Sequence, residues 1–99
     1  MHPIFNDMTA DAPPDALNPP LAALWWLRKG GLALGPAWER AHQICQSREG
    51  EPFHDMVHAL CHSIEGEAAN AAYWYRRAGR KPEADITAEW DWLASHLPR

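Results

Sequence analysis

Prolines and glycines partition this chain into helices before any other feature is considered. Asn18 precedes Pro19, and from there LAALWWLRK runs to Gly30 and Gly31. Pro36 opens PAWERAHQICQSRE and Gly50 closes it. Pro52 opens PFHDMVHALCHSIE and Gly66 closes it. EAANAAYWYRRA ends at Gly79, and Pro82 opens PEADITAEWDWLASHL. Proline suits the first turn of a helix, where its missing N–H has no intrahelical acceptor to lose. Glycine past the last turn takes the left-handed conformation that stops a helix. No segment alternates with period two and β-branched residues are few, so strands are not expected. The expected fold is all-α, with about five helices in antiparallel pairs.

The stops and starts recur about every 30 residues, close to one helix–turn–helix unit of a helical repeat. On the fourth helix Ala68, Ala71, Ala72, Trp74, Tyr75 and Ala78 share a face. Ala71, Tyr75, Ala78 and Pro82 approach the second half of a tetratricopeptide pattern, but the Trp and Leu-Gly positions of its first half do not line up. The arrangement expected is therefore either a small tetratricopeptide-like array or a compact bundle.

Five prolines fall before residue 21, and proline removes amide donors. Residues 1–17 read as a Pro-rich arm, with Ile4 and Phe5 as the side chains able to pin it. Residues 18–99 read as a single helical domain. With 46% hydrophobic residues and six Trp among 99, the chain can bury one modest core. The net charge of −4, with Lys and Arg scattered, argues against nucleic acid. The longest apolar run, Leu21–Leu27, is far short of a membrane span, and no basic region leads into an apolar one as in a secretory signal. Cys45 and Cys61 read as free thiols, which points to the cytoplasm; a bridge between neighbouring helices is the alternative. Trp25 and Trp26 are consecutive, and Trp92 lies about 120° from the stripe Ile86, Trp90, Leu93 and Leu97. So much tryptophan favours contact with a protein partner or a second copy, as in a homodimer.

One short stretch carries chemistry. On a helix His54, His58, His62 and Glu65 fall within a stripe about 80° wide. The apolar stripe beside it is Phe53, Val57, Leu60, Cys61 and Ile64, so the histidines are expected to border the core. Trp38, Ala41, His42 and Cys45 share a face of the preceding helix with Leu34. If the two helices pack antiparallel, His42 meets His58 or His62. His42, His58, His62 and Glu65 then form a candidate site for a divalent metal, zinc or iron, with an open position. The glutamate does not stand between the histidines, so the metalloprotease helix motif is absent. A metal-free pocket with the same residues as acid–base groups, and a purely structural histidine stripe, remain the other two readings.

The segment NAAYWYRRAGRK places Asn70, Tyr73 and Arg77 opposite the alanines, with Trp74 beside them. These four are the candidate ligand-binding residues, with Arg77 able to take a carboxylate bidentately or to reach Glu65 or Glu67. The plainer reading is that Arg76, Arg77 and Arg80 are cations favoured by a helix C-terminus.

Through WERAHQI and VHALCHSIEGEAANAAYWYRRAGR the chain resembles a family of small uncharacterised bacterial proteins, all-helical and cytoplasmic. The family pattern is Trp-x-x-Ala-His, then His-Ala-x-x-His-Arg-x-Glu-Gly-Asp, then Asn-Ala-x-Tyr-Trp-Tyr-Arg-Arg-Ala-Gly. The likeness spans about half the chain. It directs interest to Trp38, His42, His58, His62, Glu65, Gly66, Asn70, Trp74, Tyr75, Arg76 and Arg77. Ser63 stands where the family has Arg, and Glu67 where it has Asp; losing that Arg weakens any shared anion pocket. The segment also resembles Sel1-type and tetratricopeptide helices, which implies protein binding. Two functions are thus expected: first, a helical protein-interaction module; alternatively, a metal- or small-ligand-binding protein, catalytic if the site is open.

Overall fold

Each of the first three helices begins at its proline. In the computed structural model, which describes residues 8–98, α1 spans Pro19–Lys29, α2 Pro36–Gln46, α3 Pro52–Glu65, α4 Ala68–Ala78 and α5 Ile86–His96. There is no strand among the described residues. Gly66 and Gly79 end α3 and α4 in the left-handed region, at φ 84° and 72°. Gly30 serves differently. Its φ is −85°, but a Cβ there would stand 2.9 Å from the Ala37 Cβ, so its small size lets α1 approach the start of α2.

Two boundaries differ from expectation. The second helix stops at Gln46, before Gly50, because the Ser47 amide and hydroxyl both fold back on the Ile44 carbonyl. The last helix starts at Ile86, not Pro82. Asp85 Oδ1 accepts the Ala88 amide at 2.8 Å and caps it. The Glu83 amide donates to Glu89 Oε1 at 3.0 Å, which folds residues 82–85 across the start of α5 as a loop.

The third helix is the centre of the molecule: α1, α2, α4 and α5 all pack on it. Leu21, Leu24 and Trp25 from α1 meet Trp38 and Cys45, Val57 and Leu60, and Trp90 and Leu93 in one core. Two indoles lock helices through carbonyls, Trp38 Nε1 to Cys61 O and Trp90 Nε1 to Leu24 O, each at 2.9 Å. Unpaired in the core, each N–H would cost ~1–3 kcal/mol. Trp26 and Trp92 are half-buried, beneath the guanidinium groups of Arg40 and Arg80. The fifth helix returns to α1 and α3, while α4 packs chiefly on α3, with Tyr75 reaching Glu89 of α5.

Residues 8–17 contain no helix; Leu17 packs on the core and the Met8 carbonyl accepts from Lys29 Nζ. Ile4 and Phe5 lie outside the described residues. Both cysteines are free and buried, and burial together with a hydrogen bond to Cys61 pushes the Cys45 thiol well up. Leu34, expected on the buried face of α2, precedes Pro36 in the loop and is exposed. No helix among the described residues is long and apolar enough to cross a membrane.

Candidate functional site

Three antiparallel helices build the site. Trp38 meets Cys61 while His42, a turn later, meets His58, so α2 and α3 run in opposite directions. Asn70 approaches His62, Trp74 stacks on His58 and Arg77 nears Asp55, so α4 also runs against α3. The (i, i+4) spacing of His58 and His62 stacks their rings at 4.8 Å between centroids. His42 enters from α2 with its ring edge-on to both, at 4.8 and 5.3 Å. Trp38 covers His42 and Trp74 covers His58, in near-parallel stacks.

The histidines were expected at the border of the core, and that expectation is corrected. His58 is 2% exposed and His62 8%, while His42 alone of the three is half-buried. A helix flanked by four others has almost no solvated side, so its polar stripe becomes an interior one. His54 is buried too, but its Nδ1 bonds Glu51 Oε1 at 2.6 Å, away from the other rings. Burial raises the Glu51 pKa, but bonds from the His54 ring and from the Phe53 and His54 amides overcome this and hold it low.

His42 Nε2 lies 3.1 Å from His58 Nε2, a hydrogen bond in which one nitrogen donates and the other accepts. His58 Nδ1 is buried without a partner. A bare lone pair there costs less than an unpaired N–H, which assigns the shared proton to His58 Nε2 and the lone pair to His42. Burial, then the neighbouring His42 and His62 rings, lower the His58 pKa to about 4. His42 is lowered as well, by burial and then His62, with Glu65 opposing.

His62 Nδ1 bonds Glu65 Oε1 at 2.8 Å, with Asn70 Nδ2 at 3.5 Å. Donation to that carboxylate leaves Nε2 of His62 with a free lone pair. A carboxylate behind a histidine in this way orients metal-ligating imidazoles. The ligand atoms of His42, His58 and His62 all lie within 4.8 Å of one another, so the trio can hold a metal ion. Glu65, grouped with them from its spacing, stands behind His62 and is not among these three.

Of the four residues expected to bind a ligand, Trp74 is a wall of the imidazole cluster and Asn70 sits at its rim. Tyr73 and Arg77 are exposed and bond each other at 3.2 Å. Arg77 lies 3.9 Å from Asp55, its ion-pair partner in place of Glu65 or Glu67. Asp55 is 1% exposed and accepts the Gly50 amide at 3.0 Å. A cavity of about 430 Å³ lies elsewhere, along α4.

These features define an all-α protein with a buried three-histidine cluster between helices. No family model, curated protein or solved structure matches the chain. The site's chemistry therefore rests on its geometry alone.

Proposed function

We propose that this protein binds a divalent transition metal through His42, His58 and His62, with zinc the best-suited ion. The observation that carries the reading is the convergence of three imidazoles from two helices, two of whose Nε2 atoms are 3.1 Å apart. Zinc–nitrogen bonds of ~2.0–2.1 Å at tetrahedral angles separate ligand nitrogens by about 3.3 Å. The His42–His58 pair fits this spacing. The widest separation is at most 4.8 Å, so no pair need shorten by more than about 1.5 Å.

Ligation requires the proton on His58 Nε2 to move to Nδ1, which has no acceptor. That costs ~1–3 kcal/mol, small beside the ~10–16 kcal/mol of structural zinc sites. Three neutral imidazoles leave a fourth position, reached from the half-buried His42 side, for water or an anion. Such a donor set favours zinc, copper, nickel or iron over magnesium and calcium.

The test is metal content of protein purified without a histidine tag, followed by titration of the chelator-stripped protein with zinc and cobalt. One equivalent of metal, and a tetrahedral cobalt spectrum lost in His42→Ala and His62→Ala, are expected. Glu65→Gln should weaken affinity about 10–100-fold. Absence of binding tighter than about 10 μM would sink the proposal. The interaction-module reading draws support from a different place, the open flank of α4.

A further inference from the structure

α4 buries one side against α3 and leaves Ala68 and Ala72 exposed on the other. There Ala68, Ala71, Ala72 and Tyr75 line a groove of about 430 Å³ whose wall includes Arg76 and Lys81. A second cavity of about 210 Å³ shares Ser63, Tyr75 and Pro82 with it and continues to Glu83 and Asp85. The larger cavity is within the ~300–1,000 Å³ typical of small-molecule sites.

Its charges are not symmetric. Arg80, in the wall, is neutralised by Glu89, which it grips through Nε at 3.0 Å and Nη2 at 2.6 Å. Arg76 and Lys81 form no ion pair among the described residues. Arg76 and Lys81 are thus two uncommitted cations in the wall of an otherwise apolar trough. An anionic group is attracted to these two cations, and the alanine floor suits an apolar body.

We propose that this groove binds an amphipathic carboxylate: a small organic acid whose head meets Arg76 and Lys81 and whose apolar body lies on Ala68, Ala72 and Tyr75. Guanidinium and ammonium groups supply charge-assisted hydrogen bonds to the carboxylate. The alanines leave the width that an aliphatic or aromatic body needs. Trp74 faces the imidazole cluster while Tyr75 faces the groove, so the two sites share α4 but no residue.

The experiment is a titration of the full-length protein with decanoate, followed by backbone amide NMR, with decanol and decyltrimethylammonium as matched probes. Decanoate should shift amides from Ala68 to Lys81 and saturate, binding at least about tenfold more tightly than decanol, since only the acid makes the charge-assisted bonds. Arg76→Glu combined with Lys81→Glu, both exposed, should erase that preference and leave the fold intact. Ala72→Trp, which fills the trough, should abolish binding of decanoate. Equal binding of decanol, preference for the cationic probe, or shifts scattered away from α4 would overturn the proposal. So would decanoate binding that disappears as protein concentration rises and a dimer forms, because a second copy would then be the occupant.

Discussion

Replacing His58 by glutamine tests whether the buried imidazole is held neutral. In the metal-free protein its pKa is depressed from 6.5 to about 4. The unfolded chain therefore takes up a proton near pH 6.5 that the folded protein refuses until about pH 4. Stability is full above the unfolded pKa and is lost as pH falls through this window. At 1.36 kcal/mol per unit, the 2.5-unit depression amounts to ~3.4 kcal/mol when complete, and to ~2 kcal/mol by about pH 5. With the ring only 2% exposed, solvent screening is slight. A domain of this size has ~5–15 kcal/mol in all, so the loss is large enough to measure. Glutamine keeps an N–H at the position of Nε2 for His42 but does not titrate. Urea unfolding followed by tryptophan fluorescence, with chelator present, should show His58→Gln about 1 kcal/mol less stable at about pH 7.5, for the lost stack on Trp74. By about pH 5 the wild type should have lost ~2 kcal/mol more than the variant, so their order reverses. Carboxylates that titrate in this range contribute alike to both and cancel. Parallel pH profiles, within about 0.5 kcal/mol, would refute the claim that His58 is buried and neutral.

Zinc at a free concentration about 100-fold above its dissociation constant should raise unfolding stability by ~2.7 kcal/mol, an increment absent from His42→Ala in the same urea assay. Arg80→Met should cost ~3–5 kcal/mol, because Glu89 is 2% exposed and would be left without its partner; adding Glu89→Met should recover most of it, as read by thermal unfolding. Gly66→Ala should cost about 1 kcal/mol, since φ is 84° there and a Cβ meets nothing within 4 Å, making the penalty purely one of backbone conformation.

The helices were legible because their punctuation is local. Pro19, Pro36 and Pro52 act through their own missing N–H, and Gly66 and Gly79 through their own φ, so no distant contact is needed to place those ends. Pro82 misled because proline is also at home in a loop, and Asp85 three residues later was the better start signal. The pairing of His42 with His58 followed from helix periodicity once an antiparallel packing was assumed. The depth of the cluster did not, because periodicity tells which residues share a side of a helix but not how many neighbours cover it. Glu89 carried an unused signal: it lies one turn after Ile86 and beside Trp90 and Leu93, an acid in an apolar stripe, which demands a cation. That cation, Arg80, sits beyond the helix in the loop, where no periodicity reaches. Asp55 is the same case on α3, buried beside Arg77 from another helix.

Putting the histidines inside has an energetic consequence. Apolar side chains of similar volume at the α2–α3–α4 junction would be at least as stabilising as three imidazoles, because each ring nitrogen must be desolvated and then matched. The match is incomplete: His58 Nδ1 has no partner, nor, nearer the start of α3, has His54 Nε2. Yet the two nitrogens with defined outside partners, His62 Nδ1 and His54 Nδ1, each meet a carboxylate at the helix surface, Glu65 and Glu51. Glu51 also caps α3 through the Phe53 and His54 amides, so its placement is explained by the helix start alone. Glu65 has no such second task among its hydrogen bonds here; it holds the His62 ring through Nδ1, beside the His42 and His58 rings. A chain that needed only to fill this junction would gain nothing from orienting that ring, whereas a metal ion would.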